Sequence, residues 1–118
     1  NLIGTIDLTE QILGAVIRGG KIVFLGSRSG ALSGVVGPLY PSYSISKAAL
    51  SMYTRKLAER LKSSNITVSI IDPDWVKTDM GGDDADGEPE EAAEEIYTLT
   101  TTNVPTGYFW HKGKKREW

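Results

Sequence analysis

A chain of 118 residues, 40% hydrophobic and 24% charged, has the balance of one globular domain around a single core, not that of a disordered or fibrous segment. Its formal net charge of -2 gives no general pull toward nucleic acid, and no stretch approaches the roughly 20 apolar residues that cross a bilayer. With no cysteine, disulfides and thiolate metal sites are excluded, which fits a soluble, cytoplasmic setting.

The chain opens Asn1-Leu2-Ile3-Gly4, without initiator Met or signal pattern, and reads as a piece of something longer. Over residues 2–18, Leu2, Ile6, Leu8, Ile12, Leu13, Val16 and Ile17 recur at three- to four-residue spacing, which predicts a helix ended by Gly19-Gly20. Residues 21–26 are a short apolar run with β-branched members, predicting a strand buried on both faces. Gly30, Gly34, Gly37, Pro38 and Pro41 make residues 27–42 a loop.

A second helix is predicted over 43–62, with Ala49, Tyr53, Leu57 and Leu61 on its inner face. Ile66 to Ile71 is again β-branched and stops at Asp72-Pro73, predicting the second buried strand. After an acidic turn, Pro89 and the following glutamates start a helix that runs to about Thr100, and residues 107–110 supply a last strand. Helix, strand, helix, strand, helix, strand is the order of an α/β protein with a parallel sheet. Ligands of such sheets gather at the carboxyl ends of the strands, here residues 27–42, 72–86 and the tail after Trp110.

Tyr43 and Lys47 stand four apart at a helix start, so their side chains share a face. An ammonium near a phenol favours the phenolate, which makes the pair a plausible acid/base, although the spacing alone is common. Other patterns are weaker. Gly26 to Leu32 mimics a phosphate loop, but Leu32 replaces its last glycine and no helix pattern follows. The acidic turn 83–87 lacks calcium ligands at Gly82 and Ala93. His111 has no partner at ligand or triad spacing and reads as a surface residue, so no metal is expected. Lys112, Lys114, Lys115 and Arg116 read as a solvated basic end without nucleic-acid contact.

The segment Pro41-Ser42-Tyr43-Ser44-Ile45-Ser46-Lys47-Ala48-Ala49-Leu50 resembles the Tyr-x-x-x-Lys-Ala-Ala core of the short-chain dehydrogenase/reductase family. In the right order, Asn1 to Gly4 looks like its Asn-containing helix segment, and Lys21 to Gly30 like its strand ending in the catalytic serine. Pro73-Asp74-Trp75-Val76-Lys77-Thr78 is similar to its Pro-Gly-x-Val-x-Thr motif. The resemblance covers the whole chain and implies the C-terminal half of a Rossmann-like doubly wound parallel sheet. Residues 1–118 would then form one partial domain, without the N-terminal half whose glycine-rich turn holds the dinucleotide pyrophosphate.

Roles follow by position. Tyr43 would exchange the proton with a small-molecule carbonyl or alcohol substrate while hydride moves to or from NADP or NAD. Lys47 would favour the Tyr43 phenolate and hold the nicotinamide ribose, Asn1 would support a relay water, and Ser27 would bond the substrate oxygen, with Ser29 its competitor. Pro73, Asp74, Val76 and Thr78 would lie along the cofactor. Asp74 departs from the family glycine, in a turn that Asp can still enter at positive φ. Leu32, Val35, Val36, Leu39, Tyr40 and Trp75 are expected to form an apolar substrate pocket, and the helices over 2–18 and 43–62 to carry a homo-oligomer interface. The alternative reading is a non-catalytic truncated module that packs or dimerises through those helices.

Overall fold

In the computed structural model, which describes residues 1–33 and 37–118, the two β-branched runs form neighbouring parallel strands, β1 (Lys21–Leu25) and β2 (Thr67–Ile71). β2 pairs in parallel with β3 (Tyr108–His111), and β3 pairs antiparallel with β4 (Lys114–Arg116), giving the order β1-β2-β3-β4. The α/β class and largely parallel sheet agree with the sequence reading. β4 is an addition to it, because Lys114-Lys115-Arg116 lacks the apolar alternation that marks a half-buried strand.

The β3–β4 loop is two residues long. Lys112 and Gly113 have φ of 47° and 69°, the pair of left-handed residues that a type I′ hairpin turn requires. The basic side chains of β4 then lie over aromatic rings of β3, with Lys115 Nζ 3.7 Å from the Tyr108 ring centroid and the Arg116 guanidinium 5.9 Å from that of Phe109.

Helix α1 (Ile3–Ile12) is shorter than the predicted 2–18. It tightens into a 3₁₀ turn at Leu13–Ala15, which contains the poor helix former Gly14, and the backbone is extended at Val16. Its apolar residues do not form a buried face: Thr9 is its buried residue, while Ile3, Leu8, Ile12 and the following Ile17 are exposed. A polar tie joins it to α2 (Pro41–Leu61). Tyr53 Oη donates to Glu10 Oε1 at 2.6 Å, and Arg60 Nη2 donates to both Glu10 oxygens at 2.7 and 2.9 Å. Burial, the bond to Glu10 and the Glu10 charge push the Tyr53 phenol up to about 12.

α2 begins at Pro41, where a first helical turn tolerates proline, two residues before the predicted start. Its buried stripe is Leu50, Thr54, Leu57, Ala58 and Leu61, with the predicted Ala49 and Tyr53 half-buried at its margin. The stripe packs on one sheet face against Phe24, Val68, Ile70 and Phe109. On the other face α3 (Pro89–Thr101) sets Leu99 against Ile71 and Trp110.

β2 is the central strand, and its Val68, Ser69, Ile70 and Ile71 are each at most 1% exposed. β1, expected to be buried on both faces, has Phe24 as its buried residue, while Leu25 is 51% exposed. The reason is its place at the end of the sheet: among the described residues no strand pairs with its outer edge. No helix among the described residues is long and apolar enough to cross a membrane.

Candidate active site

The chain leaves β1 through Gly26 into Ser27, which caps a 3₁₀ turn, Arg28–Gly30, by accepting the Ser29 N–H on its Oγ at 3.1 Å. Gly30 seats this turn on α2. A Cβ there would lie 2.6 Å from the Ala48 nitrogen and the Lys47 carbonyl carbon, closer than any side chain can approach. That close packing brings Ser27 to the helix turn that carries Tyr43 and Lys47.

Lys47 Nζ donates to the Leu25 carbonyl at the end of β1, 2.8 Å away, and sits 5.6 Å from the Tyr43 ring centroid. The ammonium is half-buried, and desolvation lowers its pKa. The expected same-face pair is therefore present, held by strand backbone as well as by helix geometry.

Beyond β2 the chain turns at Asp72-Pro73-Asp74. Asp74 has φ 64°, and its N–H donates to Asp72 Oδ1 at 3.3 Å, so the turn occupied by glycine in the family pattern forms with an aspartate. The next segment folds back on itself: Trp75 Nε1 donates to the Gly81 carbonyl at 2.9 Å, and Val76 bridges Gly87.

Two cavities meet at Tyr43. A groove of about 440 Å³ is bordered by Tyr43, Lys47, Pro73, Asp74, Val76 and Thr78, with Ala92 and Ile96 of α3 opposite. A more polar cleft of about 320 Å³ is bordered by Tyr43, Ser27, Ser29, Arg28, Trp75 and Asp86. Nine of the residues singled out from the sequence, Ser27, Ser29, Tyr43, Lys47 and those at 73–76 and 78, thus gather at the carboxyl ends of β1 and β2. Ser27 and Ser29 both border the cleft, so the geometry leaves both serines available.

Asn1 borders neither cavity; it lies exposed ahead of α1, with its carbonyl accepting from Thr5 Oγ1. The apolar pocket expected from residues 32–40 does not form as read. Leu32, Leu39 and Tyr40 are exposed and border neither cavity, and Val35 and Val36 lie outside the described residues. Of the expected residues Trp75 does border the groove, and Met80 and Ile96 supply further apolar wall.

Sequence reasoning missed a charged cluster beside the site. Asp72 is 2% exposed and accepts from Arg116 Nη1 at 3.2 Å, with Arg28 Nε at 3.5 Å. Asp74 is paired with Arg28, with Lys112 Nζ at 2.9 Å and with His111 Nε2 at 3.0 Å. Burial raises the Asp74 carboxyl, but the bonds from Lys112 and His111, with the Arg28 charge, outweigh it and hold the group below its ordinary value. His111 is therefore half-buried against a carboxylate and not a free surface residue, and the basic end is partly consumed in ion pairs. Asp72, Asp74 and His111 offer ligand atoms within 4.8 Å of one another, yet guanidinium and ammonium groups already engage the carboxylates. The contacts of this cluster span 37 to 46 residues, so no local spacing signals them.

The sequence pattern of the short chain dehydrogenase family matches residues 1–89, which include Ser27, Tyr43, Lys47 and the 73–78 segment. The chain belongs to that family. It is 30% identical over 92% of its length to carbonyl reductase family member 4 of Xenopus laevis, covering 50% of that protein. It is 33% identical over 92% of its length to the 3-oxoacyl-[acyl-carrier-protein] reductase of Aquifex aeolicus, covering 40% of it. A short-chain dehydrogenase/reductase from Burkholderia multivorans, solved with bound NADP, superposes on all of this chain with TM-score 0.88 and 26% identity; 52% of that protein is covered. The chain spans about half the length of these short-chain dehydrogenase relatives. The family resemblance and Rossmann-like architecture read from the sequence thus agree with both comparisons.

Proposed function

We propose that this chain is the catalytic, C-terminal half of an NAD(P)-dependent oxidoreductase that interconverts a carbonyl and an alcohol. The observation that carries the reading is the position of Tyr43, whose side chain borders both the groove and the polar cleft. One face of the phenol can meet a substrate beside Ser27 or Ser29, and the other a cofactor beside Lys47.

The groove fits the nicotinamide end of NADP or NAD: it offers the half-buried Lys47 ammonium, the Thr78 hydroxyl and an apolar wall from Val76 and Ile96. When bound, the dinucleotide supplies or accepts the hydride. The chain's own residues handle the proton. Tyr43 donates its O–H proton to the carbonyl oxygen in reduction and takes it back from the hydroxyl in oxidation. The Ser27 or Ser29 hydroxyl fixes that oxygen by a hydrogen bond, and the Lys47 ammonium stabilises negative charge left on the phenol oxygen.

The half-protein assignment draws support from β1. Among the described residues its outer edge is unpaired, and a five-residue edge of this kind invites another strand. The same edge counts against a stand-alone structural module. The exposed Ile3, Leu8 and Ile12 of α1, with Ile45 and Met52 of α2, support an oligomer interface on those helices, and the cysteine-free composition fits a cytoplasmic setting. Carbonyl-dependent consumption of NADPH and NADH by the complete enzyme, these residues joined to the dinucleotide-holding half, tests the activity, with Tyr43→Phe as the deciding variant; the 118 residues alone are expected to be inactive. Undiminished turnover in Tyr43→Phe overturns the mechanism.

A further inference from the structure

The residue that departs from the family pattern lies where three strand ends meet. Arg28, the first residue of the turn after Ser27, reaches the two carboxylates that follow β2: its Nη2 bonds to Asp74 Oδ1, and its Nε lies 3.5 Å from Asp72 Oδ2. From the opposite side, the β3–β4 hairpin grips the same carboxylates through His111, Lys112 and Arg116.

The turn itself is held by short-range bonds. Gly30 N–H donates to the Ser27 carbonyl and Ala31 N–H to the Arg28 carbonyl, both at 3.0 Å, and Ser29 N–H donates to Ser27 Oγ. These bonds shape the turn but do not locate it. Among the described residues, its polar link to other elements runs through the Arg28 side chain. Glycine at position 74 would satisfy φ 64° without strain, but it would remove the carboxylate that Arg28, Lys112 and His111 share.

We propose that Asp74 is a positioning residue for the reaction: through Arg28 it locks the Ser27–Gly30 turn to the β3–β4 hairpin, so that the substrate-side serine hydroxyls are preset beside Tyr43. This rests on the oxidoreductase reading above. The lock also explains why an aspartate beside the cofactor groove does not confront a phosphate-bearing ligand as a bare charge, since its oxygens face three cationic or hydrogen-bonding partners. Loosening a group that orients a reacting oxygen costs rate steeply, because small displacements spoil the approach geometry.

The test uses the complete enzyme with Asp74→Gly, Asp74→Glu, Arg28→Ala and the Asp74→Gly/Arg28→Ala double variant. Amide hydrogen exchange across residues 28–31 is expected to quicken about tenfold in Asp74→Gly and in Arg28→Ala, with no further gain in the double variant. In turnover at saturating cofactor, Asp74→Gly is expected to lower kcat/KM for the carbonyl substrate about tenfold or more, chiefly through kcat. Asp74→Glu, which keeps the carboxylate, is expected to recover part of that loss. Wild-type exchange in Asp74→Gly, additive effects in the double variant, or an unchanged kcat would each overturn the proposal. Absence of turnover in the wild-type complete enzyme, with its dinucleotide-holding half, ends the oxidoreductase reading instead, and the exchange measurement still decides whether Asp74 holds the turn.

Discussion

The carboxyl edge of the sheet and the α1–β1 side of the molecule obey different physics. At the carboxyl edge, Asp72 and Asp74 are enclosed by Arg28, His111, Lys112 and Arg116, and the turn after β1 is wedged on α2 at Gly30. On the α1–β1 side, Ile3, Leu8, Ile12, Ile17 and Leu25 face solvent, and β1 lacks an outer neighbour among the described residues. The contrast teaches that Tyr43, Lys47 and the serines are held in place by nearby packing and ion pairs, whereas the α1–β1 side exposes apolar residues with no covering element among the described residues.

Tyr43→Phe probes the carboxyl edge most severely. Turnover in the complete enzyme should fall by about 10²–10⁴-fold, with cofactor binding retained in a fluorescence titration. The core contrast is next in size. Phe109→Ala, at a residue with 0% exposure, should cost about 3–5 kcal/mol in urea unfolding, and Ile3→Ala, at 76% exposure, at most about 0.5 kcal/mol. A loss at Ile3 near that of Phe109 would show that α1 is covered in solution.

Arg116→Ala should cost about 2–3 kcal/mol, because Asp72 is 2% exposed and would keep only Arg28 as a cation. Tyr53→Phe, which cuts the tie from α2 to Glu10, should cost about 1 kcal/mol. The smallest effect is in pH. The Asp74 carboxyl lies below its ordinary 3.8 in the folded chain, so its stabilisation is present above that value and is lost as pH falls through the depressed one. Asp74→Asn should lower stability at neutral pH and flatten the acid limb, so that its stability-versus-pH curve converges with the wild-type curve as pH falls.

Much of this was legible in residue order. The run Thr67–Ile71 carries its pattern openly, and Tyr43 with Lys47 is an i, i+4 pair that folding does not need to assemble; of the predicted inner face of α2, Leu57 and Leu61 are buried, whereas Leu50 and Thr54 take the core positions next to the half-buried Ala49 and Tyr53. β4 was hidden because its residues are all cationic, although Gly113 between two short runs was a usable hairpin sign. Arg28 and Asp74 lie 46 residues apart and His111 a further 37 beyond Asp74, so their meeting depends on parallel register, which no single segment encodes. The loop before α2 misled in the other direction: apolar residues such as Leu39 and Tyr40 predicted a pocket wall, yet hydrophobicity does not say which way a glycine- and proline-rich segment turns.

The Lys112–Gly113 hairpin has a consequence for how the sheet grows. β4 is three residues long, with Lys114 and Lys115 exposed, an edge too short and too charged to recruit another strand. β1 ends the sheet with a five-residue parallel edge. Extension therefore has a direction: among the described residues the pairing edge open to a further strand is that of β1, at the opposite end of the sheet from the short, charged β4.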